Sequence, residues 1–592
     1  MVGWERSLAR IAKEHSTMAE APAEPQPTRD GTILGVPDSV PVVFRKLLGV
    51  ENSPYPGFSQ DTTVLPRGSV HREGGMPLPA DVLRERDVAV TLRDGTVIYA
   101  DVFRPTGDEP VPAILVWGPY GKGGGFLAND AFPGRMDVDS SWEDGLNKFE
   151  GPNPGYWVSH GYAVVHTDSR GTWASEGDLQ FFGQQDAQDE YDVIEWIADQ
   201  PWAAGPVGLA GNSWLAISQW HVAALKPPHL AAIAPWEGQA ETYRESSLRG
   251  GIPDTVFSSL ISGGFRGPGW GEDIAAMAQR YPLINEYWES KDPDLEAIEV
   301  PAYLVASWTN IVHTQGTFAA WRRIGSKQKW LRVHNTHEWN DLFNPEYVED
   351  LRRFFDRFMK GVDNGWEATP PVRLSVLDPG GTDIVNRAES AFPLERQRFV
   401  PFHLDAASGS LAAAPVPTAA ELRYEPDAEG TTFDFAFDRD VEFTGYGKAR
   451  LWMAAEDADD LDVYVTVTKV GASGEELLPY VVTDRTHAGM NGRLRASLRQ
   501  LDDAASTEIE PRQTFRTVEK LEPGQIVPLE IPLWPYSIRF HAGEKLRLRV
   551  HGVDRLKRPE FPQLPPDPTL NRGRHVIYAG GEYDSHLLLS EV

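Results

Sequence analysis

The sequence predicts an α/β protein in which a mainly parallel sheet, covered by helices on both faces, precedes a β-sandwich. Short apolar runs alternate with helical patterns between residues 113 and 308, which is typical of parallel sheets. Beyond residue 366 the apolar residues recur with a period of two, as in LDVYVTVTKV and EKLRLRV. Many short strands of this kind indicate a sandwich.

The first 81 residues predict an N-terminal extension. They combine a short amphipathic segment, with Trp4, Leu8 and Ile11 at helical spacing, and the Ala/Pro/Glu-rich run AEAPAEPQP. This composition indicates a partly ordered arm that packs on the rest of the chain. The following stretch, VAVTLRDGTVIYADVFRP, predicts two strands around Asp94 and Gly95, a dipeptide typical of hairpin turns. An antiparallel edge therefore opens the sheet.

Five apolar runs then predict the central strands: AILVWG, YAVVHTD, VGLAG, LAAIAPW and AYLVASW. The sheet domain is predicted over residues 82–240 and 300–362, because the strand signal stops between 241 and 299. That interval is expected to be an insertion over the sheet. The run VDNGWEATPP predicts a linker, and the sandwich is predicted over residues 366–592.

Composition excludes several classes of function. The chain has 592 residues, no cysteine, and 86 acidic against 56 basic side chains, for a net charge of −30. Because phosphate backbones are bound by clustered Lys and Arg, neither nucleic acid nor an anionic membrane is an expected partner. Disulfides, thiolate nucleophiles and sulfur-based zinc sites are excluded. Without a signal-peptide core or an apolar run of about 18 residues, the expectation is a soluble, cytoplasmic protein.

Three Gly-Xaa-Ser triplets occur, at Ser59, Ser213 and Ser473. Ser213 alone lies between an apolar strand, PVGLAG, and a helix-forming run, WLAISQWHVAAL. That setting is typical of a nucleophile elbow, where the helix N-terminus stabilises developing negative charge. A serine N-cap would explain the same pattern. The second glycine of G-x-S-x-G is absent, since Leu215 occupies its position.

Several ordered motifs resemble the X-prolyl dipeptidyl peptidase and cocaine esterase family of α/β-hydrolases. They are RDGTVIYADVFRP, GPYGK, HTDSRGTWASEG, DVIEWIADQPWAAGPVGLAGNSW, FHAGEKLRLRV and SHLLLSEV. The resemblance spans roughly residues 82–592. It implies that the insertion is a helical cap and that the sandwich is a C-terminal jelly roll.

The resemblance also implies a set of catalytic residues. The family's G-x-S-Y-x-G segment falls on residues 211–216, which places the nucleophile at Ser213, although Trp214 and Ala216 depart from the pattern. The oxyanion hole would use the Tyr120 hydroxyl and the backbone N–H of Trp214. Two such donors suit a developing oxyanion. The general base would be His337, in KWLRVHNTHEWN, with His334 as a structural neighbour.

The acid of the triad is where the sequence departs most from the family. Asn310, in VASWTNIV, stands where the family has aspartate. An asparagine can orient a histidine ring but supplies no charge. Three explanations stay open: Asn310 orients His337 itself, a carboxylate such as Glu237 or Glu241 replaces it, or hydrolysis has been lost.

A metal site is not expected. His334, His337, Glu338 and Asp341 lie close in sequence, but the metalloprotease signature H-E-x-x-H is not matched, and no cofactor is implied. The HTDSRGTWASEG loop is expected to brace the active-site floor through an Asp168–Arg170 pair. Substrate binding is assigned to aromatic residues near the expected mouth, which suit an apolar acyl group: Trp173, Trp236, Trp308, Phe265 and Trp270.

The sequence therefore predicts a serine hydrolase that cleaves a small-molecule carboxylic ester or amide through an acyl-enzyme. An X-Pro dipeptidyl peptidase or an acylase is a narrower alternative within that class. A lyase, transferase or binding protein on the same scaffold is the alternative from other classes. Homo-oligomerisation is compatible with the sequence, which does not identify the natural substrate.

Overall fold

The computed structural model describes residues 26–51, 53, 55–123, 129–426, 429–483, 485–556 and 558–592. The predicted amphipathic segment around Trp4, Leu8 and Ile11 lies outside these residues. Within them, no helix is both long and apolar enough to cross a membrane.

Two sheets organise the chain up to residue 389. In chain order the strands are β1 (Thr28–Gly31), β2 (Val42–Lys46), β3 (Thr62–Leu65), β4 (Val82–Thr91), β5 (Val97–Arg104), β6 (Val111–Val116), β7 (Ala163–Asp168), β8 (Ala203–Asn212), β9 (Leu230–Trp236), β10 (Trp270–Glu272), β11 (Ala302–Ser307), β12 (Lys329–His334), β13 (Val372–Val376) and β14 (Ile384–Glu389). Strands β1, β2 and β10 form a small sheet, and the remaining eleven form a large one.

The large sheet has the order β14-β13-β12-β11-β9-β8-β6-β7-β5-β4-β3. Its pairings from β13 to β7 are parallel, whereas β3, β4, β5 and β14 add antiparallel edges. The predicted hairpin at Asp94 and Gly95 joins β4 to β5, and Gly95 has a φ of 87° there. The predicted α/β class and its antiparallel opening edge are thus confirmed.

Helices pack around this sheet. They are α1 (Pro154–Ser159), α2 (Gln184–Ala198), α3 (Trp214–Ala224), α4 (Val256–Gly264), α5 (Ile274–Arg280), α6 (Glu286–Glu289), α7 (Thr314–Arg323), α8 (Glu338–Phe343) and α9 (Pro345–Met359). Helix α3 is mostly apolar and is buried from Trp214 to Ala223, as expected for a helix enclosed by the protein. The insertion carries a π-helical turn, Tyr243–Ser247, followed by α4, α5 and α6.

The regular secondary structure of the C-terminal part is almost entirely β-strand. Its strands are β15 (Arg398–Asp405), β16 (Ser410–Ala412), β17 (Ala420–Tyr424), β18 (Thr431–Ala436), β19 (Val441–Ala455), β20 (Asp462–Val470), β21 (Glu476–Leu477), β22 (Tyr480–Val482), β23 (Arg485–Thr486), β24 (Met490–Arg495), β25 (Val527–Phe540), β26 (Lys545–His551), β27 (His575–Ala579) and β28 (His586–Glu591). Most of its strand pairs are antiparallel. The period of two in LDVYVTVTKV falls on β20.

The predicted division of the chain does not follow the edges of the sheets. Strands β13 and β14 lie beyond the linker, in the segment assigned to the sandwich, yet they extend the large sheet next to β12. In the predicted extension, β3 pairs with β4 and β2 pairs with β10 of the insertion. Residues 28–65 therefore include strands of both sheets, which periodicity alone did not reveal.

A buried lysine, Lys122, forms ion pairs with strands β4 and β7. The Lys122 ammonium lies 2.7 Å from a carboxylate oxygen of Asp87 and 2.8 Å from one of Asp168. Arg170 pairs instead with Asp189 and Asp94. The expected Asp168–Arg170 pair was therefore wrong. Strand β7 ends at Asp168, so Arg170 lies in the turn beyond it, where strand alternation no longer sets the direction of its side chain.

We expect Lys122→Met to destabilise the protein by about 3–5 kcal/mol, because it leaves buried carboxylates without their cation. Calorimetry should show a lower unfolding midpoint than for the wild type. Arg93→Met is the matched control, since Arg93 forms a half-exposed pair with Asp192 and should change the midpoint much less. Equal effects of the two variants would contradict this account of Lys122.

Candidate active site

Ser213 occupies a strained turn between β8 and α3. Its backbone has φ 55° and ψ −119°, a conformation that residues with a side chain rarely adopt. The Ser213 N–H donates to the Glu237 carbonyl at 3.0 Å, and the N–H of Asn212 donates to the Glu150 carbonyl at 3.1 Å. These bonds fix a sharp strand-to-helix turn that leaves the Ser213 side chain partly exposed, as in a nucleophile elbow.

The structure explains why Leu215 is tolerated in place of the second glycine. Gly211 and Gly118 both have left-handed φ values, 143° and 153°. A Cβ on Gly211 would lie 2.6 Å from the Cβ of Leu215, and one on Gly118 would lie 2.9 Å from its Cδ1. The larger residue fits because two neighbouring strand ends lack side chains.

Tyr120 and the start of α3 provide two donors beside Ser213. Tyr120 is buried, and its hydroxyl is hydrogen-bonded to Ser213 and to Glu150. Burial, followed by the charge of Glu150, raises the pKa of Tyr120 well above its ordinary value, so the phenol keeps its proton. The N–H of Trp214 belongs to the first turn of α3, where backbone donors lack a partner within the helix. The structure brings Ser213, Tyr120 and Trp214 together.

Glu150 supports this arrangement from behind. It accepts a hydrogen bond from the Trp339 indole at 3.1 Å. Burial raises the pKa of Glu150 to about 8, which favours the protonated carboxyl near pH 7. A neutral Glu150 avoids placing a negative charge next to the Tyr120 hydroxyl.

His337 lies in the same cavity as Ser213 and is held by two contacts. Its Nδ1 accepts the N–H of Trp339 at 3.2 Å as the N-cap of α8. Its Nε2 lies 2.5 Å from a carboxylate oxygen of Glu560, which comes from the connection between β26 and β27. The contact with His337 outweighs the burial of Glu560 and lowers the pKa of that carboxyl. The C-terminal part of the chain thus supplies a carboxylate, that of Glu560, next to the His337 imidazole.

Asn310 makes other contacts. Its Oδ1 accepts the N–H groups of Val312 and His313 at 2.9 and 3.0 Å, which fixes the turn after β11. Its side chain also hydrogen-bonds to Glu338. Burial, followed by the charges of the neighbouring carboxylates, raises the pKa of Glu338 well above its ordinary range.

The candidate carboxylates that the sequence offered lie elsewhere. Glu237 is buried, lies 2.5 Å from Nε2 of His334 and accepts the Ser307 hydroxyl at 3.1 Å. Glu241 pairs with Arg512 at 2.7 Å. His334 is thus the histidine that Glu237 contacts.

Two small cavities adjoin Ser213, of about 70 and 90 Å³. Both are lined by Tyr120, Ser213, Phe257 and His313. The first also contains His337, Asn310 and Glu560, and the second contains Trp214. The aromatic residues of their walls are Phe132, Phe149, Trp339 and Phe561 in the first cavity and Phe181 and Phe182 in the second.

The aromatic residues expected to bind substrate do not line these two cavities. The indoles of Trp173 and Trp308 donate to the carbonyls of Pro119 and Ser375. Trp236 is buried against Tyr303, and Trp270 stacks with Arg29. Phe265 packs behind the site, with its ring 5.4 Å from that of Trp214.

One group of side chains in the described chain comes close enough to hold a metal ion. The ligand atoms of His337, Glu338 and Glu560 lie within 4.8 Å of one another. His337 and Glu338 are close in sequence, whereas Glu560 comes from the distant C-terminal part of the chain. The ring nitrogen and carboxylate already contact each other, and Glu338 hydrogen-bonds to Asn310. Hydrogen bonding therefore accounts for the group without a metal.

Sequence reasoning missed Glu150 and Glu560. Glu560 lies 223 residues from His337 along the chain, in a Pro-rich stretch that shows no motif. Glu150 follows no strand and has no partner nearby in the sequence. Only the folded chain brings either residue to the site.

A strained serine turn on a mainly parallel sheet, with a histidine and two hydrogen-bond donors beside it, is typical of an α/β-hydrolase. Residues 94–260 match the family model described as X-Pro dipeptidyl-peptidase (S15 family). Residues 364–588 match the X-Pro dipeptidyl-peptidase C-terminal non-catalytic domain.

Individual relatives agree. A crystal structure of a CocE/NonD family hydrolase from Staphylococcus aureus is 32% identical, with a TM-score of 0.80 over 86% of this chain and 94% of that one. The cocaine esterase of a Rhodococcus species is 27% identical over 54% of this chain. That match spans 62% of the esterase. The Xaa-Pro dipeptidyl-peptidase of Streptococcus thermophilus is 20% identical, over 78% of this chain and 73% of that enzyme.

The chain belongs to the CocE/NonD family of hydrolases. The predicted resemblance is confirmed, and so is the assignment of the chain to the serine hydrolases.

Proposed function

We propose that this enzyme cleaves small carboxylic esters or amides through an acyl-enzyme formed on Ser213. The observation that carries the proposal is the strained turn at Ser213, whose side chain faces a cavity next to a protonated Tyr120 hydroxyl. Backbone strain of this kind persists where it serves a site. Esters with short acyl groups suit the two cavities of about 70 and 90 Å³.

In the proposed reaction, Ser213 Oγ attacks the carbonyl carbon while its proton passes to His337. The oxyanion accepts hydrogen bonds from the Tyr120 hydroxyl and the Trp214 N–H. His337 then gives the proton to the leaving group, and water releases the acid by the reverse sequence.

We further propose that Glu560 supplies the charge that Asn310 lacks. A carboxylate at 2.5 Å from Nε2 stabilises the imidazolium that forms when His337 takes the serine proton. Because Nε2 stays hydrogen-bonded to Glu560, the Ser213 proton is transferred to Nδ1. The 3.2 Å hydrogen bond from the Trp339 N–H to Nδ1 breaks during this transfer. Asn310 then has a positioning role, through the turn that carries His313 and through Glu338.

The nucleophile is tested by a fluorophosphonate probe and intact-protein mass spectrometry. We expect the wild type to gain one phosphonyl group and Ser213→Ala to gain none. Ser473→Ala is the control, because Ser473 sits in another Gly-Xaa-Ser triplet on an exposed turn and should label like the wild type. An unlabelled wild type, or a labelled Ser213→Ala, would rule out the proposed nucleophile.

The source of the charge is tested by comparing Glu560→Gln with Asn310→Ala on p-nitrophenyl esters. Loss of the triad charge in a serine protease lowers kcat by about 10⁴-fold. We expect Glu560→Gln to lower kcat/KM by at least about 100-fold, and Asn310→Ala by less than about tenfold. Glu560→Asp retains the charge and should lose less than Glu560→Gln. The reverse order of Glu560→Gln and Asn310→Ala would assign the role to Asn310.

The environment of Tyr120 predicts a pH dependence. Since the pKa of Glu150 is raised to about 8, this group is neutral below that pH and anionic above it. The anion would repel the oxyanion, so kcat/KM should fall as pH rises through about 8. Glu150→Gln is neutral at every pH and should lose this alkaline decline while keeping activity at pH 7. An unchanged decline in Glu150→Gln would show that another group causes it.

A further inference from the structure

A cavity near the junction of the insertion and the β-domain is separate from the Ser213 site. It has a volume of about 360 Å³, within the range of small-molecule sites. Its walls come from the π-helical turn Tyr243–Ser247, from α7 and from loops and strands of the β-domain. No role in the proposed hydrolysis involves it.

This cavity is basic in a protein of strongly negative net charge. Six guanidinium groups line it, those of Arg244, Arg249, Arg322, Arg323, Arg493 and Arg512. Three carboxyl groups, Glu241, Glu245 and Glu510, also line it. Burial raises the pKa of Glu245 to about 8, which favours its neutral form at pH 7. The cavity therefore carries an excess of positive charge.

Most of these arginines have carboxylate partners. Arg322 lies 2.6 Å from Glu510, Arg512 lies 2.7 Å from Glu241, and Arg493 lies 3.0 Å from Asp554. These pairs order the guanidinium groups of the wall but do not consume all of their donors, since each guanidinium has five N–H groups.

Arg249 is the exception. It is 4% exposed, and within the described residues no carboxylate lies within 4.0 Å of its guanidinium. Its recorded contacts are two hydrogen bonds to Asn491, at 3.0 and 2.6 Å, and the Trp534 ring at 3.6 Å. Burying a charge without a carboxylate in direct contact is unfavourable. Arg493, on the same wall, adds to that cost because its like charge, after burial, lowers the pKa of Arg249.

We infer that this cavity is a binding site for a small organic anion, whose carboxylate or phosphate oxygens pair with Arg249. Guanidinium groups bind such oxygens in a bidentate geometry that lysine does not offer. Trp534, Phe515 and Tyr446 supply an apolar wall for the carbon skeleton. The volume suits a small anion rather than a polymer.

The site is tested by isothermal titration calorimetry of the full chain at physiological salt. The probes are citrate, phenyl phosphate and inorganic phosphate, with uncharged glycerol as the negative control. We expect saturable binding of citrate or phenyl phosphate, and a loss of at least tenfold in affinity in Arg249→Gln. If inorganic phosphate binds equally well, the charged group alone is recognised; if citrate alone binds, the ligand is a carboxylic acid.

A second variant distinguishes loss of binding from loss of folding. Arg512→Gln changes a more exposed arginine of the same wall and should also weaken binding, whereas Arg93→Gln, on a distant surface pair, should not. Each anion that binds should raise the unfolding midpoint of the wild type, and the increase should shrink in Arg249→Gln. Absence of saturable binding by every anion, or equal affinity in folded Arg249→Gln, would overturn the inference. Neither readout depends on hydrolysis.

Discussion

The close approach of β8 to α3 is the constraint on which the proposed site depends. A left-handed backbone at Ser213 reverses the chain within one residue, and this reversal places the serine side chain and the first N–H groups of α3 on the same side. The approach is possible because Gly211 and Gly118 leave room for Leu215. The bond from the Ser213 N–H to Glu237 then holds the turn against its neighbour β9. Strain at one residue is thus maintained by ordinary packing around it.

The second feature of the site is a cluster of buried carboxyl groups whose charges must be balanced. Glu150, Glu237, Glu338 and Glu560 surround a small volume, and they cannot all be ionised at once without cost. The structure separates them by partner: Glu237 contacts His334, Glu560 contacts His337, and Glu150 and Glu338 have raised pKa values. In the proposed mechanism, the one ionised carboxylate on the catalytic histidine comes from the β-domain. That domain would then be part of the chemistry as well as of the fold.

The fold could be predicted from local sequence patterns, whereas the site residues could be predicted only in part. Short apolar runs such as AYLVASW identified the parallel strands. The Ser213 turn was recognisable because strand, bend and helix are contiguous in sequence. Glu560 was not recognisable, since no periodicity links a loop after β26 to a histidine after β12. The aromatic residues predicted to bind substrate do not line the cavities, for a related reason. The sequence pattern around a large aromatic residue near a strand end is the same whether its ring faces the core or the mouth of the site.

The central claim is that Ser213 carries the acyl group during turnover, and it can be tested by trapping that intermediate. An ester with a bulky acyl group, p-nitrophenyl trimethylacetate, slows the attack of water on an acyl-enzyme. The reaction is quenched in acid within one turnover, the protein is digested, and the peptides are mapped by mass spectrometry. The account predicts one trimethylacetyl group on Ser213. Release of p-nitrophenol without any acylated peptide, or an acyl group on another residue, would contradict it.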